Sequence, residues 1–266
     1  MAWMVAWALA AAALGADTPR PDPSPKPPKE FKIEHFQWAA APALVAGLKR
    51  IELRNDYGDV RARAAAPGML EVHSVIQRLG AGPDDAGVNV VRHEEVLAIT
   101  VTYPPGRADV DEPRLAKDAI DRCDTVIYVP PGVELSAQTF RGIVEARNLT
   151  GNVTASTLDG EIRVSSMGTV RARSRDGAIT VVFPRSERRS GVSLLESDTG
   201  SLSVTFPAGS DLDLQAETGG AITGNLGPVE SGAGRQRLSF RSGPGGHSLL
   251  VRSGRGDVEF YQSKPD

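Results

Sequence analysis

Apolar and polar residues alternate with the period of a β-strand from Leu48 almost to the end of this chain. Ile51 and Leu53, then Val60 and Ala62, stand between charged neighbours. Residues 96–103 and 125–129 are runs rich in β-branched side chains. Both patterns predict strands that bury one face or two. Residues 111–122, with Leu115, Ala119 and Ile120 on one side, predict a single short helix, set as a surface insertion between two strands.

A shorter unit repeats on top of the alternation: glycine, any residue, an aliphatic residue, any residue, then a small or aliphatic one. It runs through Gly142, Gly151, Gly160, Gly168 and Gly177 with steps of 9, 9, 8 and 9, and recurs at Gly200. Copies also begin at Gly58 and Gly256, with a degenerate one at Gly220. In a strand, the residue two after each glycine points to one face and its neighbours to the other. Ile162 and Val164 are therefore expected inside, with Glu161, Arg163 and Ser165 in water. The glycines Gly142, Gly151, Gly160, Gly168, Gly177 and Gly200 are expected at the corners, supplying either a positive φ or a close approach. One unit is too small to bury its own face, so neighbours must stack on it.

A longer period accompanies the short one. Thr139, Thr157, Ser174 and Ser197 each precede a glycine by three residues, at intervals of 18, 17 and 23. This predicts about two strands per coil, with hydroxyls stacked into a ladder that satisfies the turn backbone. Tyr103-Pro104, Phe183-Pro184 and Phe206-Pro207 are expected to end strands, because proline cannot donate to a ladder. The expected fold is an all-β, single-domain β-solenoid, β-helix-like, of short stacked strands with glycine turns over residues 48–262.

At these residues the chain resembles the putative-adhesin, or toastrack, β-strand-repeat family of bacteria, a domain of unknown function. The resemblance is carried by "IELRNDYGDVRARA", "TVIYVPPGVEL", the run from "TFRGIVEARNLTG" to "DGAITVVFP", and the closing "VRSGRGDVEF". It implies an exported, envelope-associated, non-catalytic β-solenoid, and supplies no catalytic residues to carry over. The repeat loosens at residues 185–195 and 208–234, where coil geometry departs from the family's simplest pattern.

The N-terminus changes the picture from a folded domain to an exported one. Residues 2–14 are an unbroken apolar run, followed by Gly15 and Ala16, as in a signal peptide over residues 1–16. The run is shorter than the roughly 20 residues that span a bilayer, and no cysteine follows it to carry a lipid anchor. Residues 17–47 are read as a linker, with six prolines from Pro19 to Pro28 favouring extended polyproline II. A periplasmic, surface or secreted location is expected.

Composition and candidate chemistry narrow the function. Net charge is −3, which argues against nucleic-acid binding. Cys123 is the single cysteine, so no internal disulfide forms. The histidines His35, His73, His93 and His247 share no metal-ligand spacing and read as scattered surface residues. Neither a catalytic site nor a cofactor or metal is expected. Asp159, Asp176 and Asp198 allow a carboxylate cluster of the kind found in polysaccharide-active β-helices, but Asp159 and Asp176 precede turn glycines, where aspartate is favoured anyway. Arg163, Arg171 and Arg173 project outward, as do Arg61 and Arg63, and stacked coils could align some of them into a stripe for anionic glycan or lipid headgroups. The expected function is a non-enzymatic cell-envelope interaction protein, adhesin-like or envelope-stress associated. The alternative is a polysaccharide-active or polyanion-binding β-helix protein.

Overall fold

The computed structural model describes residues 32–78, 86–103, 121–184 and 190–264. The expected signal peptide, residues 17–31 of the linker, and residues 111–120 of the expected helix lie outside them. The fold is all-β. The first strands are β1 (Lys32–Ala39), β2 (Arg50–Tyr57), β3 (Val60–Ala64), β4 (Glu71–Arg78), β5 (Gly87–His93), β6 (Val96–Thr102) and β7 (Arg122–Val129). The repeat follows as β8 (Glu134–Arg141), β9 (Val144–Leu149), β10 (Val153–Thr157), β11 (Ile162–Ser166), β12 (Val170–Ser174), β13 (Ile179–Val182), β14 (Gly191–Ser197) and β15 (Leu202–Pro207). The chain closes with β16 (Leu212–Thr218), β17 (Ile222–Thr223), β18 (Glu230–Gly232), β19 (Arg235–Ser242), β20 (His247–Ser253) and β21 (Val258–Ser263). One helical turn, α1 (Pro42–Val45), follows β1. The sheet therefore starts at Lys32, ahead of Leu48 where the repeat pattern sets in, and Arg122 opens a strand.

Two large mixed sheets form, and neither closes on itself. Sheet A runs β1-β4-β7-β3-β9-β11-β13-β15-β21-β17, and sheet B runs β18-β19-β16-β20-β14-β12-β10-β8-β2-β6-β5. Consecutive repeat strands alternate between the sheets, so each pair makes one rung. Rung strands pair in parallel, with the aliphatic positions in register: Val144, Ile162, Ile179, Leu202 and Val258 are successive partners across sheet A. All five are 0–1% exposed. They belong to one core lined by strands of both sheets. Burying each such side chain contributes about 1.5–3 kcal/mol before chain entropy is charged.

The glycines serve close approach rather than unusual dihedrals. A Cβ on Gly142 would lie 2.0 Å from the Gly58 carbonyl oxygen, and one on Gly160 1.9 Å from that of Gly142. The column continues with Gly177 on Gly160, Gly200 on Gly177 and Gly256 on Gly200, at 1.6, 2.0 and 2.1 Å. Within it only Gly58 and Gly142 have positive φ. At the opposite corner Gly151 meets Val133, and Gly168 meets Gly151, at 2.1 and 2.6 Å. Stacked backbones leave no room for a methyl group at either corner.

Beside the first column runs the hydroxyl ladder. Thr139, Thr157, Ser174 and Ser197 donate to the carbonyls of Gly58, Gly142, Gly160 and Gly177, one rung back, at 3.2–3.5 Å. Ser253 and Thr218 continue it to Gly200 and Gly256 at 3.1 and 2.5 Å. Ser174, Ser197 and Ser253 also accept from the backbone N–H three residues on, at 2.8–2.9 Å. A corner that could leave buried carbonyls unpaired is thereby satisfied.

The ends of the stack depart from chain order. From one end to the other the rungs are β6/β7, β2/β3, β8/β9, β10/β11, β12/β13, β14/β15, β20/β21 and β16/β17. The first and last copies of the glycine unit, at Gly58 and Gly256, thus have a rung on each side. Antiparallel strands finish the ends: β4 and β1 beyond β7, β5 beyond β6, and β19 and β18 beyond β16.

Candidate functional site

The regular corner opens between rungs β6/β7 and β2/β3. In later rungs a hydroxyl three residues before the glycine reaches the neighbouring glycine carbonyl. Here Asn55 holds that offset before Gly58, and Cys123 takes the neighbouring corner. The longer Asn55 amide donates to the Cys123 carbonyl at 2.6 Å. A Cβ on Gly58 would lie 1.9 Å from the same oxygen. The Tyr103 hydroxyl sits 2.5 Å from Asn55 Oδ1 and 2.6 Å from the Tyr57 carbonyl. The Tyr57 and Tyr103 rings meet edge to face at 5.4 Å.

Larger residues at this corner leave a recess of about 230 Å³ lined by Tyr57, Gly58, Asp121, Arg122, Arg141, Gly142 and Asp159. Asp59 holds Arg122, one of the lining residues. One carboxylate oxygen accepts from Arg122 at 2.9 Å and from the Ile143 N–H at 3.0 Å, and the other from Arg61 at 2.8 Å. Asp124 accepts from the Asp59 N–H at 2.8 Å and pairs with Arg122 at 2.9 Å. Asp159 joins the wall through backbone bonds to Phe140 and Gly142.

This arrangement positions charge but does not activate a nucleophile. Burial pushes the Cys123 thiol and the Tyr103 phenol up, so both stay protonated at neutral pH. Asp59 and Asp124 are committed to Arg122 and to backbone N–H groups. Among the described residues no three His, Cys, Asp or Glu side chains converge as metal ligands.

The residues singled out from sequence are dispersed. Arg163 lies on β11 in sheet A, exposed and paired with Glu161. Arg171 and Arg173 lie on β12 in sheet B. Successive strands belong to opposite sheets, so the three arginines do not line one face. Arg173 instead belongs to a row of alternating charge across sheet B: Glu230, Arg237, Glu217, Arg252, Glu196 and Arg173 are successive partners. Within it Arg237 meets Glu217 at 3.3 Å and Arg252 meets Glu196 at 3.7 Å. The aspartates are corner residues. Asp176 pairs with Arg175 at 2.8 Å, which holds its carboxyl below the usual range. Asp159 and Asp198 are exposed.

One histidine is not at the surface. His247 is 3% exposed, and its Nε2 lies 2.8 Å from the Oγ of Ser193, itself fully buried. Ser193 occupies an inward position in the loosened stretch and also accepts from the Val170 N–H at 2.9 Å. Two inward polar residues thus satisfy each other where the aliphatic pattern lapses. The corner residues Asn55, Tyr103 and Arg122 carry no motif. Only Asn55, at the ladder offset before Gly58, leaves a trace in the sequence.

No protein-family model and no curated protein matches the chain. Two solved structures are similar to it. A putative cell adhesion protein from Clostridium sporogenes is 13% identical with a TM-score of 0.49, covering 87% of this chain and 100% of its own. A putative adhesin from Bacteroides fragilis is 10% identical with a TM-score of 0.32, covering 87% and 98%.

Proposed function

We propose that this chain is an exported, non-enzymatic cell-envelope interaction protein, a single-domain β-solenoid over residues 48–262 that is capped at both ends. The corner ladder carries the reading. Its hydroxyls, the groups in the repeat best suited to chemistry, are bonded to the neighbouring rung, and four of them also to their own turn. What remains for function is two broad polar sheet faces. The apolar run at residues 2–14 and the prolines from Pro19 to Pro28 fit export and a spacer between a surface and the folded unit. No helix among the described residues is long and apolar enough to cross a membrane.

On this reading an anionic glycan or lipid surface is met by the outer face of sheet B, through Arg171 and Arg173, and not by Arg163. Cell fractionation with N-terminal sequencing tests the location: mature protein outside the cytoplasm, starting after Gly15 or Ala16, supports it, and an intact cytoplasmic chain refutes it. Turnover of any polysaccharide by the purified chain would overturn the non-enzymatic assignment. Binding to acidic glycan should weaken steeply with salt, because exposed charges are screened within about 8 Å at physiological ionic strength.

A further inference from the structure

The four sheet edges are finished very differently. At the far end, sheet A stops at the two-residue strand β17 and sheet B at the three-residue strand β18. Such short strands are the usual protection of an edge. At the near end, sheet B stops at β5, where the Arg92 guanidinium holds the carbonyls of Ala43, Leu44 and Ala46 and so straps α1 to the strand. Sheet A stops at β1, eight residues long, with β4 on one side and, among the described residues, no strand on the other.

β1 carries only a weak form of the features that blunt an edge, Lys32 at its first position and the inward Glu34. It contains neither proline nor glycine, and its pairing with β4 runs without a bulge from Lys32 to Ala39. Its one inward carboxylate, Glu34, is neutralised by Arg78 at 2.6 Å and Lys32 at 2.7 Å. Phe36 and Trp38 pack against the core yet remain half-buried, and Ile33 on the other face is 57% exposed.

We propose that β1 is a self-association edge: two copies of this chain pair their β1 strands antiparallel about a twofold axis, joining two sheets A into one. The strand is self-complementary in this sense. With the axis at His35, Lys32 stands opposite Trp38, Glu34 opposite Phe36 and Ile33 opposite Gln37. No lysine or carboxylate meets its like, and Lys32 can lie over the indole. The incoming strand covers the exposed parts of Phe36 and Trp38 and satisfies the outer row of backbone groups. Closed twofold pairing is the commonest route to a finite assembly.

The test is sedimentation of the purified chain over a concentration series, with amide exchange read across residues 32–39. The expected result is a dimer with protected β1 amides. Ile33→Lys with Gln37→Lys changes two outward positions and sets lysines opposite lysines twice. It should give a cooperatively folded monomer whose melting temperature no longer depends on protein concentration, with fast exchange along the outer edge of β1. His35→Lys, a single outward change at the axis, is the second variant if the first does not fold. A monomeric wild type overturns the proposal. So does a dimer that survives both variants, or one that leaves β1 exchange as fast as in the monomer; that last result would place the contact elsewhere.

Discussion

The middle of the stack and its two ends stack parallel rungs in the same way, yet only the middle keeps chain order. From β8 to β15 each rung lies beside the rung that precedes it in sequence. At the near end β2/β3 slips inside β6/β7, and at the far end β20/β21 slips inside β16/β17. The exchange places the first and last copies of the repeat, at Gly58 and Gly256, where both sides are paired. It leaves outermost the rungs that continue into antiparallel strands.

The sharpest way to break this comparison is a charge in the core. Ile162→Asp removes a fully buried side chain from a two-sided rung and strands a carboxylate there. A lost isoleucine costs about 2–5 kcal/mol and the buried charge more, against a total of about 5–15 kcal/mol for a domain. Unfolding by circular dichroism is expected. Ile222→Asp, in the two-residue edge strand β17, should leave the rest folded.

Next comes the corner. Gly160→Ala drives a methyl group into the Gly142 carbonyl and should cost about 3 kcal/mol, the upper end of overpacking. Gly132→Ala, at φ +76° with open space around it, should cost only about 1–2 kcal/mol of backbone strain. Equal melting temperatures for the pair would remove the column from the account.

Ser174→Ala deletes a donor to Gly160 and an acceptor for Gly177, leaving buried backbone groups unpaired at about 1–3 kcal/mol. Asn55→Ala should cost at least as much, because it strands the Cys123 carbonyl and deprives the Tyr103 hydroxyl of a partner. Chemical denaturation of both variants measures whether the irregular corner is as well satisfied as the regular one.

A smaller effect separates the ends by pH. Arg78 and Lys32 hold the Glu34 carboxyl down at about 2, against an ordinary value of 4.5. The group is ionised more readily folded than unfolded. Its contribution is therefore complete above about pH 4.5 and is lost as pH falls towards 2. β1 amides should exchange faster across that window while the middle rungs stay protected. Least of all, Arg173→Ser should change stability by less than about 0.5 kcal/mol, because its side chain faces water.

Much of this architecture was legible in particular residues. The aliphatic position after each glycine marked the core, and Thr139, Thr157, Ser174 and Ser197 marked the ladder. The separation of Arg163 from Arg171 was also available, since two strands per coil put successive strands in opposite sheets. His247 and Ser193 were not legible, because their compatibility with the core rests on each other across 54 residues. The recess at Tyr57 and Arg122 likewise exists only because rung β6/β7 stacks on β2/β3.

The sequence by itself determined the strands of the glycine repeat and which face their side chains take, but not β1, which it presented as linker, nor the burial of His247. The strands and faces of the repeat follow from a period of two and from glycine's missing side chain, both local properties. The order of the rungs, the open edge at β1 and the irregular corner were decided by tertiary structure. A parallel ladder offers the same backbone hydrogen bonds to any neighbour, so alternation along one strand carries no record of which strand lies beside it.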